Sequence, residues 1–286
     1  MLQDIFSLLP LLSVGIGGVV LMLLSPLESI NTKKAIWTTA FFIFVAIASN
    51  LINMSGLYSV YPFEKVFHQF LITDTYSGYF NLILLSSGIL TLLIGAHYFQ
   101  KHKEFTTEFF SLFLFSLFGM LLLVQVNELI SAFIALEIAS LAVYVMVGYQ
   151  KDRAKRVEAS YRYLVLGSLA GAFFLLGTAL IYGATGTTSL SLIGRYISLH
   201  MQEDMSLVLV GGVMIFITFF FKIAAFPFQN WVIDVYDGAS YPVTTYMAVT
   251  FKTAIFGFIL RLVLIDFDSI RDFWDNMFFY LSLIHI

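Results

Sequence analysis

Eight long stretches of apolar residues, joined by short polar connections, constrain this chain more than any other feature of its sequence. An α-helix needs about 20 apolar residues to cross the hydrocarbon core of a bilayer, and each stretch is close to that length. The pattern predicts an all-α polytopic membrane protein, because a helix satisfies its backbone polar groups within one segment. We expect spans at residues 5–25, 35–53, 76–98, 108–125, 128–149, 159–183, 205–226 and 243–265, and a ninth that begins near residue 276.

The composition excludes several other classes of protein. Of the 286 residues, 59% are hydrophobic and 12% are charged, which is about half the charged share of a soluble domain. The net charge of −3 argues against binding to nucleic acid. The chain has no cysteine, which rules out a Cys-ligated iron–sulfur cluster, a thiolate zinc site and a disulfide on it. The lipid bilayer is therefore the first partner that the sequence predicts.

The distribution of Lys and Arg between alternate connections predicts the orientation of the chain. One set of connections holds eight of these residues and the other holds three. Cytoplasmic loops carry the excess of positive charge, so the first set is expected in the cytoplasm and the N-terminus outside. The first set, which we call the basic face, comprises Lys33, Lys34, Lys101, Lys103, Lys151, Arg153, Lys155 and Arg156, and the opposite set Lys65, Arg195 and Arg271.

Ionisable residues inside predicted spans are expensive in lipid, and each is a candidate functional residue. Glu137 lies about nine residues into span five, roughly 14 Å from the outer end at about 1.5 Å per residue. It is either a proton-binding group at mid-membrane or a structural carboxyl bonded to a neighbouring helix. Lys252 lies ten residues after Pro242 in span eight, also near mid-membrane, and could instead be a static partner for a carboxylate.

Lys222 is followed five residues later by Pro227, which cannot donate a backbone hydrogen bond. The pair predicts that helix seven breaks near Pro227 and resumes over 231–239. A broken helix beside a buried charge is typical of ion sites in transporters. The break would also bring Lys222 closer to the membrane midplane than a straight helix would. The alternative is a lysine near a helix end whose ammonium reaches the interface.

Three further charged residues lie near span ends. Arg162 is only three or four residues into span six. Its side chain either extends to the cytoplasmic interface or acts beside the other charged residues within the spans. Arg261 lies near the far end of span eight and is interpreted as an interface anchor. Asp74 precedes span three and is interpreted as a helix cap or loop residue.

Glu137, Arg162, Lys222 and Lys252 together form a row, with a carboxylate on one helix and basic groups on three others. A Glu–Lys pair keeps its lysine protonated, and separating the pair favours release of the proton. Alternate pairing and unpairing of Glu137, Lys222 and Lys252 would move protons stepwise. The row suits proton translocation better than hydrolysis, and the sequence contains no phosphate-binding loop or dinucleotide fingerprint.

Three sequence blocks carry a resemblance to a known family. They are Leu-Glu-Ile-Ala-Ser-Leu-Ala-Val-Tyr-Val at 136–145, the segment 158–188, and Phe-Lys-Ile-Ala-Ala-Phe-Pro-Phe-Gln-Asn-Trp at 221–231 with its continuation to 239 and Pro-Val-Thr at 242–244. In this order they resemble the antiporter-like membrane subunits of respiratory complex I, the bacterial NADH-quinone oxidoreductase. The N branch of that family is more similar than its M and L branches, which carry Trp where Leu136 stands.

The resemblance implies a fold of about fourteen helices with two inverted five-helix repeats. It further implies that Glu137, Lys222 and Lys252 are the proton-relay residues and that Arg162, which stands where Lys is common, could tune Lys222 but hardly relay a proton. NADH, FMN, iron–sulfur clusters and quinone would be handled by other subunits, with no cofactor on this chain. The partners would be neighbouring antiporter-like and quinone-side subunits in the bacterial inner membrane.

Some positions depart from the family pattern. Gln229 stands where His is common, and Ile233 and Ser240 stand where Pro is common. They affect the expected conformation of the connection after the break more than the expected proton route.

The expected domain organisation follows from the spans and the resemblance. We expect helices 1–3 in residues 1–107, the first five-helix repeat in 108–265 and the start of a truncated ninth helix in 266–280. The ninth span is too short to cross, which favours a fragment. Residues 281–286 back-translate into DNA that resembles a transposon end used for sequencing libraries, so we interpret them as adapter read-through.

Three other functions remain open from the sequence. The chain could be a subunit of a multi-subunit cation/proton antiporter, which would use the same changes in Glu–Lys pairing without quinone chemistry. It could belong to the membrane arm of an energy-converting hydrogenase. It could also be a scaffold subunit whose charges no longer carry protons.

Overall fold

A computed structural model gives the fold of the chain. The structure describes residues 2–26, 31–55, 63–66, 70–102, 104–151, 153–200 and 204–285. Within them, the helices are α1 (Leu2–Ser7), α2 (Leu9–Leu24), α3 (Thr32–Met54), α4 (Thr75–Lys101), α5 (Thr107–Leu123), α6 (Leu129–Val147), α7 (Ala154–Thr185), α8 (Leu190–Leu199), α9 (Ser206–Ile223), α10 (Asn230–Gly238), α11 (Tyr241–Tyr246), α12 (Lys252–Arg261) and α13 (Arg271–His285).

Each of the eight predicted spans coincides with an apolar helix or pair of helices. Six of the described segments are long and apolar enough to cross a membrane: α3, α4, α6, α7, α9 and the run Tyr241–Leu264 that contains α11 and α12. Two more, α2 and α5, are apolar but shorter, with 16 and 17 residues. The chain is therefore a multi-pass membrane protein.

Polar side chains begin several of these helices. The Asn31 side chain accepts a hydrogen bond from the Lys34 amide at the start of α3. Asp74 and Ser77 form a reciprocal capping box at the start of α4. The Glu128 carboxylate accepts the Ile130 and Ser131 amides at the start of α6. These caps satisfy amide groups that have no partner within the helix.

Close helix packing places α7 and α9 side by side. A Cβ on Gly177 would lie 2.4 Å from the Gly211 carbonyl oxygen, and one on Gly211 would lie 2.8 Å from the Gly177 oxygen. Helices in membranes associate through such small residues, because the two backbones can approach without side chains between them. The contact packs the first part of α9 against the C-terminal third of α7, and α9 continues from there to Lys222.

The predicted break is present between α9 and α10. Helix α9 ends at Ile223, the connection contains Pro227, and helical geometry resumes at Asn230, one residue before the predicted position. A second irregularity lies one helix later, where a π-helical turn over Met247–Phe251 separates α11 from α12. Both irregularities adjoin a predicted site lysine.

The face opposite the basic face contains structure that the sequence did not predict. A two-stranded antiparallel hairpin pairs β1 (Phe63–Val66) with β2 (Leu71–Asp74). It joins the connection before α6 through the Ile72 amide, which donates to the Gln125 oxygen at 2.7 Å. The amphipathic helix α8 follows α7 on the same face. The strands escape detection because each has only four residues, which is too short for an alternating apolar pattern to stand out in the sequence.

The last helix differs from its predicted start. Helix α13 begins at Arg271, five residues before the expected start of the ninth span, and continues to His285. The interpretation of 281–286 as adapter sequence, like the predicted domain boundaries, stays a prediction.

Candidate functional site

A polar stripe runs along the inner face of α6. Glu137, Ser140 and Tyr144 are spaced three and four residues apart, so that their side chains share one face of the helix. Ser140 and Tyr144 both contact Lys222 of α9, and Glu137 faces Gly171 of α7. The stripe therefore forms one wall of a polar site enclosed by three helices.

Lys222 is the buried centre of this site. Its side chain is 1% exposed, and Nζ donates hydrogen bonds to Ser140 Oγ and to the Tyr144 hydroxyl, both at 2.8 Å. The rings of Tyr144, Tyr163, Phe221 and Phe251 surround the ammonium at 5.1 to 6.0 Å from their centroids. Aromatic faces attract a cation, and the attraction strengthens when water is excluded.

The helix break has its own set of stabilising contacts. Ala224 adopts a left-handed conformation with φ of 59°, and its amide donates to the Phe221 oxygen at 3.0 Å. The Ala225 amide donates to the Phe220 oxygen at 2.8 Å, which closes the helix in the manner of a left-handed C-terminal cap. Trp231 Nε1, on α10, donates to the same Phe221 oxygen at 2.8 Å. The Phe220 and Phe221 carbonyls at the end of α9 thus have partners in the protein.

Glu137 lies close to Lys222 without pairing with it. Its Oε1 atom is buried and has no hydrogen-bond partner among the described residues. The Lys222 ammonium is near enough to interact electrostatically with the carboxyl group. A Cβ on Gly171 would lie 3.2 Å from Oε1, so that a larger residue there would crowd the carboxyl.

Lys252 lies on the other side of the broken helix. It is the first residue of α12, directly after the π-helical turn, and its Nζ lies 5.8 Å from the Tyr236 ring centroid on α10. Phe251, the preceding residue, faces Lys222. The Tyr236 hydroxyl and Thr250 Oγ1 are buried, and neither has a hydrogen-bond partner within the described chain. Buried polar groups of this kind are normally satisfied by ordered water.

Arg162 occupies the rim of the site and not its centre. Its guanidinium forms ion pairs with Glu158 of α7 and Asp234 of α10, and its side chain is half exposed. Lys155 and Asp237 make a second ion pair between the same two helices. Arg162 therefore links α10 to α7 at the exposed rim, and none of its described hydrogen bonds goes to Lys222 or its ligands.

The interpretation of Arg261 as an interface anchor was wrong. Arg261 is 1% exposed and makes a two-pronged ion pair with Asp74, at 2.8 and 3.0 Å. Its guanidinium also lies 4.8 Å from the Tyr76 ring centroid. Asp74 is a helix cap, as expected, but it also serves as this buried partner. The two residues are 187 positions apart, so no local pattern could have paired them.

Ser140 and Tyr144 were also missed as site residues. The sequence held a usable signal, because both follow Glu137 at helical spacing inside the same block. Neither is charged, however, so a search for ionisable residues in spans passes over them.

Comparison with known proteins places this site in a family. The profile of the family described as NADH:quinone oxidoreductase/Mrp antiporter, TM, matches residues 126–286, which is more than half of the chain and includes Glu137, Lys222 and Lys252. The chain belongs to this family.

Individual relatives agree with the assignment to the NADH:quinone oxidoreductase/Mrp antiporter family. NADH-quinone oxidoreductase subunit N 1 of Solibacter usitatus is 33% identical over 275 residues, covering 96% of this chain and 55% of the relative. Its counterpart from Herpetosiphon aurantiacus is 39% identical over 216 residues, covering 74% and 44%. The chain thus spans about half the length of the curated relatives it matches.

Solved structures share the fold. A chain of respiratory complex I from Thermus thermophilus, solved with bound aureothin, superimposes with a TM-score of 0.73 at 30% identity, covering 89% of this chain and 53% of that one. A chain of the Mrp complex from Dietzia sp. DQ12-45-1b gives a TM-score of 0.76 at 19% identity, covering 94% and 50%. The second likeness concerns the fold alone.

The site contains no metal-ligand cluster in the described part of the chain. No group of three or more His, Asp or Glu side chains there is arranged to hold a metal ion.

Proposed function

We propose that this chain is part of a proton-translocating membrane subunit of a bacterial NADH-quinone oxidoreductase. Glu137, Lys222 and Lys252 form its proton relay. The observation that supports this function most directly is the burial of Lys222 at a helix break, with Glu137 beside it on α6. The relatives named as subunit N support the choice of complex.

The proposed relay works by changes in pairing. When Glu137 approaches Lys222, the carboxylate favours the charged lysine, and when it withdraws, the ammonium loses that support and releases a proton. The withdrawn arrangement resembles the geometry observed here, in which Lys222 binds hydroxyl groups and Glu137 Oε1 is unpaired among the described residues. The low polarity of the surrounding aromatic rings strengthens each such interaction.

The next step runs from Lys222 towards Lys252. The Phe251 ring lies 5.9 Å from the Lys222 ammonium, and the Tyr236 ring lies 5.8 Å from the Lys252 ammonium. Thr250 Oγ1 and the Tyr236 hydroxyl are buried polar atoms with no hydrogen-bond partner among the described residues. Water bound to these atoms would carry the proton between the two lysines. Arg162 holds α10, which bears Tyr236, and so influences the relay through the position of that helix.

The wider setting follows from the same proposal. The protein lies in the bacterial inner membrane with its N-terminus outside, because the basic face holds eight of the eleven loop Lys and Arg residues considered. Its partners are neighbouring antiporter-like and quinone-side subunits. NADH, FMN, iron–sulfur clusters and quinone react in those other subunits, whose redox energy drives the pump.

Substitutions in the full-length protein within its assembled complex test the relay. Glu137→Gln and Lys222→Ala should each lower NADH-driven proton translocation by about 100-fold or more, since a positioned proton-transferring group typically contributes about 10²- to 10⁴-fold. The measurement is proton uptake into inverted membrane vesicles, normalised to the amount of assembled complex.

Two exposed residues provide matched controls. Glu104→Gln and Lys151→Ala remove the same groups from loop positions on the basic face and should leave translocation unchanged. Wild-type pumping in both Glu137→Gln and Lys222→Ala would refute the site assignment.

A subunit of a multi-subunit cation/proton antiporter is the second candidate. The family description names both the NADH:quinone oxidoreductase and the Mrp antiporter. The similarity of this fold to a chain of the Mrp complex supports the antiporter as a candidate. This function predicts sodium-dependent proton exchange that needs no NADH. Proton uptake that starts only on addition of NADH and a quinone decides for the oxidoreductase.

A further inference from the structure

Lys222 has a pair of hydroxyl ligands that the Glu–Lys relay does not require. Ser140 Oγ and the Tyr144 hydroxyl both lie 2.8 Å from Nζ, and both come from α6, one turn apart. Both side chains are buried, with exposures of 0% and 3%. Their position is fixed, because Tyr144 packs edge to face on Tyr163 with centroids 4.6 Å apart.

The backbone of α7 makes room for the Tyr144 hydroxyl. A Cβ on Gly167 would lie 2.0 Å from that oxygen and 2.7 Å from Cζ of the same ring. Any side chain at 167 would therefore drive the hydroxyl away from Lys222. The glycine creates the space in which the hydroxyl meets the ammonium.

Hydroxyl groups differ from a carboxylate in what they can do for an amine. An ionised carboxylate only accepts hydrogen bonds, so it can bind the N–H groups of lysine but offers no donor to the lone pair of the neutral amine. A hydroxyl accepts from an ammonium and can also donate to the lone pair of a neutral amine. Two hydroxyls can therefore hold Nζ in one place while its proton arrives and leaves.

We propose that Tyr144, assisted by Ser140, is a positioning residue that holds Lys222 in both protonation states while Glu137 is unpaired. The inference rests on the proposed function, since it assigns a role within the same relay. Without the hydroxyls, a neutral Lys222 would have no fixed position from which to take up the next proton. Tyr144 stabilises the charged form as well, because hydrogen bonds to an ionised group are about twice as strong as neutral ones.

The test measures how NADH-driven proton uptake by the assembled full-length complex depends on pH. In Tyr144→Phe the ring stays on Tyr163, and only the hydroxyl is lost. Loss of the hydroxyl removes a hydrogen bond that stabilises the charged form of Lys222. The high-pH limb of the activity profile should therefore move to lower pH by about one unit, the shift that ~1.4 kcal/mol produces. Ser140→Ala should move the limb in the same direction.

Tyr161→Phe is the matched control, because Tyr161 lies on α7 with a 66% exposed side chain. Its profile should coincide with that of the wild type. A purely structural role of Tyr144 would reduce the amount of assembled complex or the height of the profile, but would not move its limb. If Tyr144→Phe does not assemble, Ser140→Ala carries the same test.

The outcomes separate this inference from the proposed function. A limb that stays in place or moves to higher pH, together with loss of pumping in Lys222→Ala, overturns the role of Tyr144 and leaves the relay intact. Full pumping in Lys222→Ala overturns both. A limb shifted to lower pH in Tyr144→Phe, with an unshifted limb in Tyr161→Phe, supports the inference.

Discussion

The two most deeply buried cationic side chains described in this protein, Lys222 and Arg261, both have polar partners. The Lys222 ammonium contacts two hydroxyl groups and four aromatic rings, and the Arg261 guanidinium pairs with the carboxylate of Asp74. A charge in a membrane interior needs such partners, because neither lipid nor bulk water can solvate it there. The charged residues at the rim, such as Arg162, instead make exposed ion pairs, which are worth little individually.

The Asp74–Arg261 pair predicts a large loss of stability when it is broken. Asp74→Asn leaves the Arg261 guanidinium buried without its counter-charge and should cost about 3–5 kcal/mol in unfolding free energy. Adding Arg261→Met should restore part of this loss. Thermal unfolding in detergent measures both. Asp275→Asn, which breaks an exposed ion pair with Arg271, is the control and should change stability by less than about 0.5 kcal/mol.

The same pair predicts how stability depends on pH. Burial tends to raise the pKa of the Asp74 carboxyl, but the hydrogen bonds and charge of Arg261, together with the hydrogen bonds of Ser77, outweigh it and hold the pKa below its usual value. The folded state therefore binds this proton less readily than the unfolded state. Its stabilisation is fully present above about pH 4 and disappears as the pH falls through the lowered folded-state pKa. The acid-side slope of stability should flatten in Asp74→Asn, and an unchanged slope would contradict the assignment.

At the scale of elements, the break between α9 and α10 depends on contacts from distant helices. Trp231 donates to the carbonyl oxygen of Phe221 and stacks on Tyr163 with centroids 4.6 Å apart. Helix α10 is further tied to α7 by the Arg162–Asp234 and Lys155–Asp237 pairs. Pro227 accounts for the end of a regular helix here, and these contacts hold the interrupted backbone in one conformation.

Trp231→Phe tests the contribution of the indole donor to the break. Phenylalanine retains much of the stacking on Tyr163 but loses the hydrogen bond to the Phe221 oxygen, at a cost of about 1 kcal/mol or more. A lower unfolding temperature in detergent is the expected result. Trp37→Phe is the control, because Trp37 is 62% exposed on α3 and should be neutral. Equal unfolding temperatures for the two variants would show that the bond is dispensable.

At the scale of the whole molecule, the connections on the two faces of the helix bundle differ in composition and in structure. The basic face holds the Lys and Arg residues that set the predicted orientation. The opposite face is held together by backbone pairing among connections, in which the hairpin joins residues 125–127 and the Leu190 amide donates to the Asn127 oxygen at 2.9 Å. The proposed relay lies between the two faces.

These 286 residues contain no cysteine, so a cysteine introduced into them reports the orientation once any cysteine elsewhere in the full-length protein is replaced by serine. In the full-length protein in cells, Lys151→Cys on the basic face should react with a membrane-impermeant maleimide only after the cytoplasm is opened. Arg195→Cys, at an exposed position of α8, should react in intact cells. The reverse labelling pattern would place the N-terminus in the cytoplasm.

The sequence by itself determined the class of protein, the positions of the spans and the break near Pro227. Hydrophobic length and proline stereochemistry are local properties, and the bilayer allows few alternatives to a helix. It also singled out Glu137, Lys222 and Lys252, because an ionisable side chain in an apolar run is conspicuous without any structure.

Tertiary structure alone decided which groups meet. The hydroxyls of Ser140 and Tyr144 reach Lys222 from a helix about 80 positions away, and Arg261 reaches Asp74 across 187. Such contacts depend on the crossing of helices at glycines such as Gly177 and Gly211, which is a property of two surfaces together. A sequence pattern records the faces of one helix, whereas the partner of a buried polar group is set by how separate helices pack.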